Sequence, residues 1–277
     1  MDNKKKLFAK SGKIVWVIFF IVLFYYLFRF SVLTGIAGIV IFSAVMIFVK
    51  RINLYIFQGN SKYKKGDLDG AIKSFSKAVT MKGCIPAIKL IYAYLLLKDG
   101  KLDEAEDMIK IVLEDEDISE EDHNIANSHL SIVLWKRGEI EEAVKLMEDV
   151  FEKSPTTDNY GTLGYYYILL KDMEKVLKFN LEAYEYNEMN SIIADNLGQT
   201  YYLLGDYDKS KEVYEKMFEK KVTFPEAHYN YGLLLIELGE KEKAREYLDE
   251  ANKFILTFLS TISKEDIDRA IEKAGEL

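Results

Sequence analysis

One cysteine, three histidines and three prolines are all that 277 residues contain of these types. A single thiol, Cys84, cannot close an intramolecular disulfide, so the fold does not call for an oxidising compartment. Cys84 reads instead as a small apolar core residue. His123, His129 and His228 lack the i,i+4 spacing that sets two ligands on one helix face, and no cysteine neighbours them in sequence, so no metal centre is expected. Catalytic signatures are missing too. There is no G-x4-G-K-[ST], no G-x-S-x-G, no H-E-x-x-H and no strand pattern on which a dinucleotide fingerprint would sit. The many carboxylates fall on polar helix faces, where solvation accounts for them. The expectation is a protein that is not an enzyme and carries no cofactor.

What the chain does have is apolar residues, at 49%, with 13% aromatics, enough for a packed core. From Ile14 to Val49 it is apolar apart from Arg29. One helix of that length would measure about 54 Å, against a hydrocarbon core of about 30 Å. Two helices, Ile14 to Phe28 and Leu33 to Val49, fit better, turning between Arg29 and Thr34. Both are short for a span, so two readings stand at this stage: a transmembrane hairpin, or a shallow hairpin that does not cross fully. The apolar stretch is too long for a cleaved signal peptide and no small-residue cleavage site follows it.

Charge is divided unevenly. Residues 1–51 hold Lys4, Lys5, Lys6, Lys10, Lys13, Arg29, Lys50 and Arg51 against Asp2 alone, a balance of +7, and the formal total of −8 leaves −15 for the rest. A body this acidic repels phosphate backbones and anionic lipid head groups, which excludes nucleic acid as a partner. Positive charge at both ends of the hairpin places both ends, and the acidic body, on the cytoplasmic side of the membrane.

Beyond Arg51 the sequence repeats. A turn glycine followed five residues later by a small residue occurs as Gly66/Ala71, Gly100/Ala105, Gly138/Ala143, Gly205/Ser210 and Gly239/Ala244, at glycine spacings of 34, 38, 67 and 34. The 67 is a double interval. Leu163, Gly164 and Tyr167 inside it match Leu197, Gly198 and Tyr201 one period later. Pro86, Pro155 and Pro225 fall at junctions, where a helix has to stop.

These residues, with Tyr55, Gly59, Phe75 and Ala78 in the first unit and Tyr231, Gly232 and Ala251 in the sixth, resemble the tetratricopeptide repeat family, whose 34-residue units are antiparallel helix pairs. The resemblance implies an all-α, right-handed solenoid of about six pairs. The expected order is a basic N-terminus (1–13), the apolar hairpin (14–50), six repeats within 52–258 (52–85, 86–119, 124–156, 157–190, 191–224, 225–258) and a capping helix (263–277). Unit four departs from the pattern, with Lys171 at the turn glycine, Val176 at the small position and Asn180 at the aromatic one. The acidic junction 114–122 lacks the glycine and glutamate of a calcium loop, and Ser119 before Glu120, Glu121 and Asp122 reads as a helix N-cap. Ser263 to Asp266 resembles a capping box ahead of an apolar stripe, Ile267, Ala270, Ile271 and Ala274.

In this family the first helix of each unit lines a concave surface that receives a peptide or helix. Register places Tyr63, Tyr94, Trp135, Asp158, Tyr165, Asp195, Gln199, Tyr202, Glu226 and Tyr229 there, with Tyr94, Trp135, Tyr165, Asp195, Gln199, Tyr202 and Tyr229 as the candidate partner-binding residues. Aromatics interleaved with acids suit an apolar or basic-apolar segment of a partner protein. They do not suit the acidic tails gripped by the Lys/Asn clamp of one branch of the family, of which Asn60 alone is compatible. The implied function is a membrane-anchored interaction scaffold. Two others stay open: an envelope-biogenesis or export component with its repeats outside the cytoplasm, and a regulator that sequesters a partner at the membrane.

Overall fold

The computed structural model describes residues 21–49 and 51–276, so the basic segment 1–13 and the first part of the first apolar helix, 14–20, lie outside the described residues. Helix α1 (21–30) and helix α2 (Val32–Val49) are separated by a break at Ser31. The Thr34 hydroxyl donates to the carbonyls of Leu27 and Ser31 at 2.7 and 2.8 Å, alongside the Ser31 and Gly35 amides that bond the same two carbonyls, and so ties the two helix ends together. The two helices fold back on each other. Phe24 meets Phe42 edge to face at 5.7 Å, and the absence of a Cβ at Gly35 and Gly38 lets the Phe28 ring and Leu27 lie against α2. The hairpin's crossing of a bilayer is not supported: among the described residues no helix is long and apolar enough to cross a membrane.

The rest of the described chain is a solenoid of helix pairs with no strand among the described residues. The pairs are α3/α4 (Arg51–Lys64, Leu68–Val79), α5/α6 (Pro86–Lys98, Leu102–Leu113), α7/α8 (Glu120–Lys136, Ile140–Lys153), α9/α10 (Thr157–Leu170, Met173–Tyr186), α11/α12 (Ser191–Leu203, Tyr207–Phe218) and α13/α14 (Pro225–Glu237, Lys241–Asn252). Helix α15 (Lys264–Glu276) packs on α14 and α13. Its stripe residues Ile267, Ala270 and Ala274 are buried, which shields the apolar side of the last pair from water. The Ser263 amide donates to Asp266 Oδ2 at 2.9 Å and the Asp266 amide to Ser263 Oγ at 3.1 Å, the two reciprocal bonds of a capping box.

Local chemistry sets each turn. Gly66, Gly100, Gly138, Gly205 and Gly239 all have φ between +74° and +85°, the left-handed region that an L side chain rarely adopts. Asp67, Asp172 and Asp206 follow the turns in three units and cap the second helices, each accepting from a backbone amide three residues on. The small residues Ala71, Ala105, Ala143, Ser210 and Ala244 are fully buried where the paired helices approach. Across that approach a Cβ on Gly59 would lie 2.6 Å from the Phe75 ring, and one on Gly198 would lie 2.7 Å from Tyr214. Glycine on one helix and an aromatic ring on the other are thus one packing device, and burying such a ring contributes about 2 to 3 kcal/mol.

The Ser119 cap read from the sequence starts the third pair before 124, and the end of the sixth pair differs from that expected. Helix α7 starts at Glu120, capped by Ser119, whose hydroxyl accepts from the Asp122 amide at 3.0 Å, so the residues before 124 extend the first helix of the third pair. Helix α14 stops at Asn252, so residues 253–258 leave the sixth pair and form non-helical chain as far as Ser263.

Candidate partner-binding groove

The first helices of the second to sixth pairs, α5, α7, α9, α11 and α13, enclose a groove of about 1370 Å³. At one end Tyr94 stacks on His129 at 5.5 Å. The Lys98 ammonium lies over the rings of Tyr63 and Tyr94 and donates to the Tyr63 hydroxyl at 2.9 Å. Burial pushes His129 down to about 4, so at neutral pH it presents an uncharged ring. In the middle Trp135 meets Tyr165 edge to face at 5.6 Å. Burial raises the Tyr165 phenol to about 12, so it stays a neutral hydroxyl.

The far end is built on a buried carboxyl. Asp195 is 7% exposed and accepts from the Tyr214 phenol at 3.0 Å and from Asn230 Nδ2 at 3.1 Å. Burial outweighs these bonds and pushes its pKa up to about 7, so the side chain is poised between acid and carboxylate near neutrality. Beside it Asn196 Nδ2 donates to the Gly161 carbonyl at 2.8 Å, while Asn180 Nδ2 donates to Thr200 Oγ1 at 2.9 Å. Asn180, in the place that Phe75 and Tyr214 hold in their units, joins α10 to α11 by a polar contact instead of a ring.

Of the residues expected at the site, Tyr94, Trp135, Tyr165, Asp195 and Gln199 line this one groove, together with Asp158 and Glu226. Tyr63 touches its edge through Lys98. Tyr202 and Tyr229 are outside the lining and pack half-buried against the core near α15, where Lys273 faces Tyr202 and Asp266 and Arg269 face Tyr229. The capping helix takes the place that register alone had left to a partner. Residues outside the expected set also line the groove: Asn124, Ser128, His129, Asn196 and Asn230. Asn124 and Ser128 lie one turn apart on α7, at i and i+4, and that polar pair was their signal in the sequence.

One wall comes from the chain's own C-terminal connection. Phe254, Ile255, Thr257, Leu259, Ser260 and Thr261 complete the lining. The Phe258 amide donates to the Lys98 carbonyl at 3.1 Å, Lys136 Nζ donates to the Ser260 carbonyl at 3.3 Å, and the Thr261 amide donates to Glu226 at 3.0 Å. Aromatic faces, carboxylates and main-chain partners therefore converge in one concavity, a surface that can seat apolar side chains and hold a polypeptide backbone.

Comparison with known proteins agrees with this architecture. A profile of the tetratricopeptide repeat matches residues 58–121, 93–156 and 196–253. The fourth pair, with Lys171, Val176 and Asn180, lies outside the matched stretches. DnaJ homolog subfamily C member 3 of Bos taurus is 27% identical over 236 residues, covering 83% of this chain and 41% of the relative. A TPR repeat-containing protein of Methanocaldococcus jannaschii is 26% identical over 243 residues, covering 79% and 41%. The chain thus spans 41% of the length of these curated relatives. Among solved structures, a thermophilic TPR protein of Thermus thermophilus superposes with a TM-score of 0.56 at 18% identity, covering 70% of this chain and all of that one. PilF of Pseudomonas aeruginosa gives 0.55 at 13% identity, covering 80% and 97%. At such identities the likeness is one of fold. With its helix pairs, turn glycines and matched segments covering more than half of the residues, the chain belongs to the tetratricopeptide repeat family.

Proposed function

We propose that this protein is a membrane-associated adaptor that binds an apolar or basic-apolar segment of a partner protein in its concave groove, and that it is not an enzyme. Proteins of this family generally mediate protein–protein interactions. The observation that carries the reading for this chain is the convergence of Tyr94, Trp135 and Tyr165 with Asp195, Asp158 and Glu226 on one face. The rings offer apolar area at low entropic cost, and the carboxylates favour a segment that brings a positive charge or backbone N–H donors.

The hairpin supports the membrane half of the reading. Ile21, Tyr26, Phe30, Val32, Leu33, Val40 and Ile41 are all exposed on it, and apolar exposure on this scale is of the kind that marks an interaction site. A shallow hairpin seated in one leaflet, with both ends on the cytoplasmic side, fits the fold-back at Ser31 and the basic residues that flank the apolar stretch in the sequence.

The groove is tested by recovering partners from a detergent extract of the source cells with the wild type and with a Trp135→Ala/Tyr165→Ala variant of equal helicity. Loss of the same partners from the variant supports the groove, and unchanged recovery of every partner refutes it. Alkaline carbonate extraction tests the anchor, since release of the protein into the supernatant would contradict membrane seating.

A further inference from the structure

Residues 253–263 do not behave like an ordinary connector between α14 and α15. They cross the concave face and touch the second, third and sixth pairs. Within them, the Ser260 amide bonds the Thr257 carbonyl at 3.0 Å and the Thr257 amide bonds Ser260 Oγ at 3.1 Å, closing a β-turn with Phe258 and Leu259 at its tip. Leu259 packs onto the core shared by the first three pairs. The Phe258 ring lies over Gly100, where a Cβ would come within 3.0 Å of it, and the Lys136 ammonium sits 5.3 Å from the ring centre. Backbone polar groups at Phe258, Ser260 and Thr261 are held by Lys98, Lys136 and Glu226.

Each contact is of a kind that a bound peptide would make: Leu259 on the apolar core, Phe258 over the Gly100 turn, and main-chain groups held by the surface. The seat is also incomplete, because Phe258 stays 44% exposed and Ile255 86% exposed. The sequence Lys253-Phe254-Ile255-Leu256-Thr257-Phe258-Leu259-Ser260 is itself basic-apolar, the chemistry proposed above for the ligand.

Resting on the groove reading above, we propose that this turn, one wall of the groove, covers in cis the part of the concave face formed by the second and third pairs, and that a partner enters by displacing it with a segment of the same chemistry. That segment is a turn carrying an aromatic–aliphatic pair flanked by hydroxylated residues. The apparent affinity for such a segment is then lowered by the fraction of molecules in which the turn is seated, and releasing the turn restores it.

The probe is a fluorescein-labelled peptide of residues 253–263, titrated by anisotropy into the full-length protein in detergent. The expected result is weak binding to the wild type and roughly 10- to 100-fold tighter binding to a Phe258→Ser/Leu259→Ser variant, with a scrambled peptide binding neither. Equal binding to both proteins, or to neither, overturns the proposal. A second measurement uses the wild type alone: hydrogen exchange at the Phe258 and Thr261 amides, slowed by their bonds to Lys98 and Glu226, speeds up at saturating peptide. Unchanged protection at saturation overturns the proposal. A wild-type dimer that becomes monomeric in the double variant would show the turn exchanged between copies and would overturn occupancy in cis. If the proposal fails while Trp135→Ala/Tyr165→Ala still loses partners, the groove reading stands. If peptide binding survives that variant undiminished, the groove reading falls as well.

Discussion

The Tyr214 phenol donates a 3.0 Å hydrogen bond to Asp195, a carboxyl at the groove that burial holds near pKa 7 instead of its ordinary 3.8. The sign of the consequence follows from proton uptake. Between pH 4 and 7 the folded protein keeps a proton at Asp195 that the unfolded chain has released, so this group's contribution to stability falls as pH rises through that window and is flat above it. Asp195→Asn keeps an acceptor for Tyr214 and removes the titration. Urea midpoints are expected to favour the variant over the wild type more at pH 8 than at pH 5, by an amount on the order of 2 to 4 kcal/mol. Taking the difference between the two proteins removes the opposite trend of surface acids such as Glu106 and Glu240, whose pKa values are lowered by their lysine and arginine partners. A pH-independent difference would contradict the buried carboxyl.

Lys171 adopts φ 61° where the other units place a turn glycine, and it is the only non-glycine residue with positive φ among the described residues. Lys171→Gly relieves the strain of a left-handed L residue, about 1 to 2 kcal/mol, against an entropy cost of about 1 kcal/mol for glycine. A net gain of up to about 1 kcal/mol in denaturant titration is expected. The reverse change, Gly66→Ala, meets open space around its Cβ and costs about 1 kcal/mol from backbone strain alone.

Two helical glycines separate packing from propensity. A Cβ at Gly198 runs into the Tyr214 ring, whereas one at Gly275 meets nothing. Gly198→Ala is therefore expected to lower thermal stability, by about 1 to 3 kcal/mol of overpacking set against about 1 kcal/mol of helix propensity. Gly275→Ala raises stability by a few tenths of a kcal/mol, since it lies in the last turn of α15. A stabilised Gly198→Ala would contradict the ring-on-glycine packing.

Sidedness is open to labelling at the chain's single thiol. Cys84 is partly exposed between α4 and α5, and burial pushes its pKa up, which slows but does not block maleimide addition. A membrane-impermeant maleimide is expected to label Cys84 only after the cells are permeabilised. Labelling in intact cells would put the repeats outside the cytoplasm.

Much of the scaffold was legible because its signals are local. A glycine at each turn, a small residue five places on and a proline at the head of α5 and of α13 specify helix, turn and close approach without reference to distant residues. Five of the seven candidate residues share one groove for the same reason, as register on one helix face fixes what a concavity displays. The rest depends on curvature. Nothing in the aperiodic stretch 253–263 announces that it returns to Lys98, and nothing in α11 or α13 announces that α15 lies beside Tyr202 and Tyr229. The depth of Asp195 is likewise a product of Tyr214 and Asn230 arriving from neighbouring helices.

The claim that partners bind the concave face is tested most directly by a photo-cross-linking amino acid placed in living cells at Gln199, inside the groove, and at Lys145, exposed on the second helix of the third pair. The account predicts protein adducts at 199 that are absent at 145 and that are lost when Trp135→Ala/Tyr165→Ala is added. Adducts at 145 with none at 199 would contradict it.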